Sequence, residues 1–219
     1  MTAIGVDGAP GGWVHVTLES GTAVAVGFAT RLADLPRADI VGIDIPLGFP
    51  VPGQHRPAEV EARRLLGRRA SSVFAVPPRA VLEATDYADA RRMAVDLTGR
   101  SISAQAFALA PKILEAADAE RAGVPLIEVH PEAAFAALAG EPIGRKKTWD
   151  GQERRRSLLA AEGVAVTGGL GVAGPAASDD VLDAAVCALV AERFGENRAT
   201  PLATPTHPED RPIWVWYPD

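Results

Sequence analysis

DIVGIDIPLG, residues 39–48, contains the run that decides the fold. From Ile40 to Ile45 both alternating faces are apolar except at Asp44, and Pro46 with Gly48 ends the run. A strand that is apolar on both sides must be covered on both sides, which suits the centre of a parallel sheet. An acid placed inside it is costly unless it finds a partner or a cation, so Asp44 is a candidate site residue as well as a strand-end marker.

Upstream, Thr2 to Asp7 reads as a short apolar strand stopped by Gly8-Ala9-Pro10-Gly11-Gly12. WVHVTL, residues 13–18, alternates with period two, and Glu19-Ser20-Gly21 turns it into TAVAVGF, residues 22–28. Three antiparallel strands joined by tight turns are the simplest reading. A helical piece is expected around Arg31 to Leu35. Downstream, residues 51–123 are predominantly helical, with breaks at Pro77-Pro78 and Gly99. Pro111 forces a kink or two shorter helices there. VPLIEV, residues 124–129, is a second buried strand; helices are expected over 131–138 and 152–161, and a short strand over 164–167. Ser178 is expected to cap a final helix that runs to Phe194. The Pro- and Thr-rich stretch 200–212 reads as irregular, and IWVWY, residues 213–217, as a late edge strand. This order predicts an α/β protein of ribonuclease H-like arrangement: a mixed five-stranded sheet in which an antiparallel meander leads into parallel first, fourth and fifth strands, with a helical insertion after the fourth. Without repeats or low-complexity linkers, residues 1–219 read as one domain.

The chain is 47% apolar and 23% charged, an ordinary globular composition, and its formal net charge of −6 does not mark the whole molecule as a nucleic-acid binder. Basic residues nevertheless concentrate locally: nine Arg against six acids from Gln54 to Arg100, and six basic residues against Asp150 and Glu153 from Arg145 to Arg156. The single cysteine, Cys187, excludes an internal disulfide and a cysteine-based zinc site, and reads as a small buried helix residue. No signal-peptide pattern and no run of membrane-spanning length is present, so a cytoplasmic, soluble protein is expected, with no membrane partner.

Acids recur where strand ends and helix faces can carry them to one point. Asp7 ends the first strand before a glycine-rich turn, and Asp44 ends the fourth. Asp180 and Asp183 are spaced i,i+3 on the last helix and share a face, whereas Asp179 suits the helix start, where the dipole favours an acid. In EVHPE, residues 128–132, Glu128 and His130 fall on one side of a strand, a pairing able to serve as ligand and proton shuttle. Pro131 leaves open whether Glu128 or Glu132 faces the site. At the carboxyl ends of strands in an open α/β sheet such side chains meet ligands. Lys146-Lys147, two of three lysines in the chain, sit in a glycine-bounded loop and are candidate phosphate contacts, as are Arg79 and Arg154. Arg63, Arg64, Arg68 and Arg69 read as a solvated helix face. The G-x-G-x-x-G match at Gly169–Gly174 is followed by Pro175 and not by a helix, and GRKKT from Gly144 lacks the spacing of a phosphate-binding loop, so neither is read as a nucleotide motif.

GVDG with Gly11-Gly12-Trp13, DIPLG at 44–48, Arg79, Ser103-x-Gln105, Lys112-Ile113, EVHPE, Lys146-Lys147 and DDVLDA at 179–184 together resemble the domain of unknown function 429 family. The resemblance covers about residues 3–194 and implies a predicted nuclease of ribonuclease H-like fold. It further implies acids on the first strand, the fourth strand and the last helix holding two divalent ions, here Asp7, Asp44 and Asp180 or Asp183.

Hard carboxylates without thiolates favour Mg²⁺ or Mn²⁺. The expected activity is two-metal phosphodiester hydrolysis of nucleic acid or another phosphodiester, with Asp7 bridging the ions, Asp44 and Asp183 completing one site each, and Glu128 or Asp180 assisting. His130 is the expected proton shuttle, and Lys146, Lys147, Arg79 and Arg154 the expected substrate contacts. The competing expectations are an ATP-dependent phosphotransferase of the actin and sugar-kinase-like type, which also begins with an aspartate before a glycine-rich turn, and a non-catalytic binding module.

Overall fold

The computed structural model describes residues 1–167 and 170–218. Its centre is a seven-stranded mixed sheet: β1 (Thr2–Ala9), β2 (Gly12–Glu19), β3 (Thr22–Ala29), β4 (Ile40–Ile43), β5 (Leu126–Val129), β6 (Thr200–Pro201) and β7 (Ile213–Val215), in the spatial order β3-β2-β1-β4-β5-β7-β6. The meander forms as expected. Ser20 and Gly21, at φ 50° and 80°, close the β2–β3 hairpin with the doubly left-handed turn that matches strand twist. β1, β4 and β5 are adjacent and parallel, with Val6 beside Ile43 and Ile43 beside Glu128.

Two strands beyond the expected five extend this sheet. β7 lies parallel to β5, and the two-residue β6 pairs antiparallel to β7, so IWVWY supplies an inner strand and the true edge is β6. A two-residue strand in a Pro- and Thr-rich tail carries no periodicity to read. Residues 164–167 form no strand.

Among the described residues eight α-helices cover the sheet: α1 (Pro57–Leu66), α2 (Arg79–Leu82), α3 (Tyr87–Thr98), α4 (Ala104–Ala108), α5 (Ala110–Arg121), α6 (Pro131–Ala139), α7 (Trp149–Ala161) and α8 (Ser178–Gly195). The piece around residues 31–35 is a single 3-10 turn, Leu32–Asp34. Pro111 sits at the start of α5, where its missing N–H costs nothing, so the stretch splits into two helices. Helices α6, α7 and α8 bury Phe135, Leu159 and Val186 on one side of the sheet, while α2 to α5 bury Val81, Ala90 and Ile113 on the other. Ser178 is the first residue of α8 and not its cap; Ala177 holds the cap position and no side chain bonds there. No helix among the described residues is long and apolar enough to cross a membrane.

The position of α8 is set by two glycines. A Cβ on Gly5 of β1 would lie 1.9 Å from the Ala184 carbonyl oxygen, and one on Gly42 of β4 would lie 2.4 Å from that of Cys187. Glycine at both points lets the helix backbone rest directly on the sheet, and Ala184, Ala185, Ala188 and Ala191, all buried, keep α8 thin enough to fit.

Candidate metal centre

Strand parity delivers the first two acids. Asp7 follows Gly5 by two residues in β1, and Asp44 follows Gly42 by two, just beyond β4, so both carboxylates share the face on which α8 lies. Parallel register sets them side by side, and the Asp44 N–H donates to the Val6 carbonyl at 2.9 Å. The third acid comes from the helix: Asp183 precedes Ala184, the residue pressed against Gly5. One carboxylate oxygen from each of Asp7, Asp44 and Asp183 lies within 4.8 Å of the others.

Asp7 and Asp183 are buried, and Asp44 keeps partial access to a groove of about 470 Å³. Asp7 accepts the Gly8 N–H at 2.6 Å. The Lys146 ammonium reaches in from the loop before α7, donating to Asp183 Oδ2 at 2.5 Å and standing 3.7 Å from Asp179. Asp183 Oδ1, on a residue only 2% exposed, has no hydrogen-bond partner among the described residues. Such an atom is costly unless something binds it.

The electrostatics follow from crowding. Burial raises the Asp7 pKa well above the ordinary carboxyl value, and Asp44 and Asp183 add to the rise. Burial and Asp183 do the same to Asp44. Burial lifts Asp183 to about 6, with Lys146 pulling against the shift. Desolvation opposes the charge on Lys146, but Asp183, Asp7 and Asp44 outweigh it and raise its pKa. Three close acids with one ammonium lack positive charge when all are ionised, so the trio is suited to a small hard cation with oxygen ligands.

Around the trio the expected residues divide. Asp180 and Lys146 line the groove, and so do Glu128 and His130. Glu128, however, lies on the opposite sheet parity from Asp7 and Asp44. Its carboxylate accepts the Leu47 N–H at 2.7 Å and pairs with Arg56 at 2.5 Å. Arg56 also meets Asp210 at 3.2 Å and Glu59 at 3.8 Å, which makes a buried clasp between α1, β5 and the C-terminal segment. Glu128 is therefore a member of that clasp, not of the acid trio. His130 caps α6, accepting the Ala133 N–H at Nδ1 (3.3 Å) with Nε2 3.4 Å from the Ser72 carbonyl oxygen. Burial lowers its pKa, so the ring is neutral at pH 7 and both nitrogens are engaged. Glu132 pairs with Arg155 at 2.8 Å and Arg69 at 3.3 Å.

Arg79 lies elsewhere, paired with Glu83 at 2.7 Å and stacked over Phe49. Lys147 and Arg154 are exposed and do not line the groove. The buried arginine of α7 is Arg155, which donates to the Gly144 and Gly151 carbonyls. Asp179, expected as a helix-start charge, stands in the first turn of α8 and is buried beside Lys146. Arg69, Gln105 and Lys112 join the groove wall. Lys112 lies over the Trp13 ring at 3.9 Å and donates to the Gly12 carbonyl, and its sequence signal is the family motif alone. Of the G-x-G-x-x-G match, Gly169 lies outside the described residues.

No match to the chain emerged among curated proteins or among solved structures. A family model described as "Protein of unknown function (DUF429)" matches residues 5–210, nearly the whole chain, and the protein belongs to that family.

Proposed function

We propose that the protein is a divalent-metal-dependent phosphodiester hydrolase, a nuclease of ribonuclease H-like architecture. The observation that carries this reading is the convergence of Asp7, Asp44 and Asp183 within 4.8 Å, with Asp183 Oδ1 left unpartnered. The order β3-β2-β1-β4-β5 with β1, β4 and β5 parallel supports the architecture, and the two further strands extend it at the far edge.

The donor set fits Mg²⁺ or Mn²⁺: three carboxylates, no thiolate and no imidazole. A divalent ion bound there supplies electrophilic stabilisation of phosphate charge and acidifies a nearby water. Asp7 and Asp44 are held rigidly by paired strands, and Asp183 by the helix seated on Gly5 and Gly42. Asp180, in the same groove, is the remaining acid available to a second ion. Lys146, Lys112 and Arg69 set three cations on the groove wall where a phosphodiester would lie. His130 holds the β5–α6 corner that forms one side of the groove.

Asp7→Asn and Asp44→Asn are expected to abolish Mn²⁺-dependent cleavage of oligonucleotides, a loss of at least about a hundredfold when a charge-stabilising group is removed. Unchanged turnover in both variants would overturn the proposal. Thermal stabilisation by ATP, with no metal-dependent cleavage by the native protein, would favour the phosphotransferase class instead.

A further inference from the structure

The turn that carries Lys146 into the acid groove ends in the most exposed large apolar side chain among the described residues, Trp149, at 82%. Trp149 is three positions beyond Lys146, so their Cα atoms lie within about 11 Å. Of the six basic residues from Arg145 to Arg156, Lys146 is turned toward Asp183 and Arg155 is buried against Glu132. Arg145, Lys147, Arg154 and Arg156 are all exposed, and none pairs with a carboxylate among the described residues. Asp150 and Glu153 are the only acids in the segment. A chain of net charge −6 thus places a surplus of unpaired cations in the segment that carries a bare indole, three positions from the lysine that enters its candidate metal centre.

A basic surface interleaved with an exposed aromatic ring is the arrangement that binds a single strand: cations follow the phosphates and a base stacks on the ring. Duplex bases are stacked on one another and cannot reach the ring without opening. We propose that this surface takes the unpaired flank of a nucleic-acid substrate, with one base stacked on Trp149 and neighbouring phosphates held by Arg145 and Lys147. The inference rests on the phosphodiesterase reading for what happens in the groove, and adds that the substrate is single-stranded beside the scissile bond.

Binding of a fluorescein-labelled 12-nucleotide single strand is measured by anisotropy on the full chain in EDTA, alongside tryptophan emission. The native protein is expected to bind the single strand at least about tenfold tighter than the matching duplex, with quenched emission. Trp149→Ala is expected to lose roughly tenfold in affinity and most of the quenching, while Trp149→Phe keeps affinity within about threefold. Arg145→Gln with Lys147→Gln is expected to reduce the slope of log affinity against log salt by about 1.4. Thermal melts check folding, which an exposed side chain leaves intact. Mn²⁺-dependent hydrolysis of bis(p-nitrophenyl) phosphate, too small to reach Trp149, is expected to be equal in native protein and Trp149→Ala. Equal single-strand binding by native and Trp149→Ala, no binding at all, or a native self-association that Trp149→Ala abolishes would each overturn the inference. Binding with quenching but no cleavage in Mn²⁺ would instead overturn the proposed chemistry and leave the strand-binding surface standing.

Discussion

Lys146 is the built-in counter-ion of the acid trio. Its ammonium occupies one oxygen of Asp183 and leaves the other bare. Lys146→Met is expected to lower the stability of the metal-free protein by about 1–3 kcal/mol, since Asp183 loses its charged partner. Saturating Mn²⁺ should then raise the melting temperature by more than it does in the native protein. Glu59 makes a second residue-scale case. Burial raises its pKa to about 7 although Arg56 and the Val76 N–H pull it down. The folded state therefore holds the Glu59 proton more tightly than the unfolded chain does, and stability falls as pH rises from about 4.5 to about 7. Glu59→Gln is expected to flatten the denaturation free energy between pH 5 and 7.5; an unchanged slope would place the dependence on other groups. At this scale the sequence was legible at Asp7 and Asp44, where an acid interrupts an apolar run at a strand end, but not at Glu128, where the same signal marks a member of the Arg56 clasp. It was not legible for Arg56, because a buried arginine and an exposed one look alike until the clasp of Glu128, Asp210 and Glu59 closes around it.

Among the elements, the contact of α8 with β1 and β4 decides whether a site exists. Gly5→Ala is expected to destabilise the fold by about 3 kcal/mol or more, because a Cβ 1.9 Å from the Ala184 carbonyl must push the helix off the sheet. Gly42→Ala should act similarly through Cys187, and both should reduce Mn²⁺ affinity by displacing Asp183. A Gly5→Ala protein with native melting temperature and native Mn²⁺ affinity would show that the helix has room to move. Helices α5, α6 and α7 were legible from the proline and glycine breaks that bound their stretches of sequence. The cap of α8 was not: Ser178 precedes two acids as a cap residue does, yet the chain enters the helix one residue earlier, at Ala177. Glu128 shows the sharper limit. Its strand was recognisable, but the face an acid takes depends on which neighbour the strand pairs with and in what register; Ile43 opposite Glu128 turns it away from α8 toward Arg56.

For the whole molecule, the raised pKa values of Asp7, Asp44 and Asp183 tie stability, pH and metal together. Without a cation each acid holds its proton more tightly in the folded state, so the contribution of Asp183 to stability declines as pH rises from about 3.8 to about 6. A divalent ion binds the ionised forms, so its stabilising effect should grow over the same window. Mn²⁺ at a hundred times its dissociation constant is expected to add about 2.7 kcal/mol. Thermal melts with and without Mn²⁺ should show a larger shift at pH 7.5 than at pH 5, and equal shifts would argue against binding by the trio. The sequence by itself determined the alternation of strands and helices, the parallel core built on DIVGIDI, and the candidacy of Asp7, Asp44 and Asp183, because periodicity and the cost of an acid in an apolar run are local properties. Only the tertiary structure decided that the sheet has seven strands, that α8 lies on two glycines, that Glu128 belongs to the Arg56 clasp, and that Lys146 enters the groove while Lys147 and Arg154 stay outside. Those outcomes depend on strand register and on close approach between residues far apart in the chain, from Lys146 and Asp183 to Gly5 and Ala184, which no local pattern encodes.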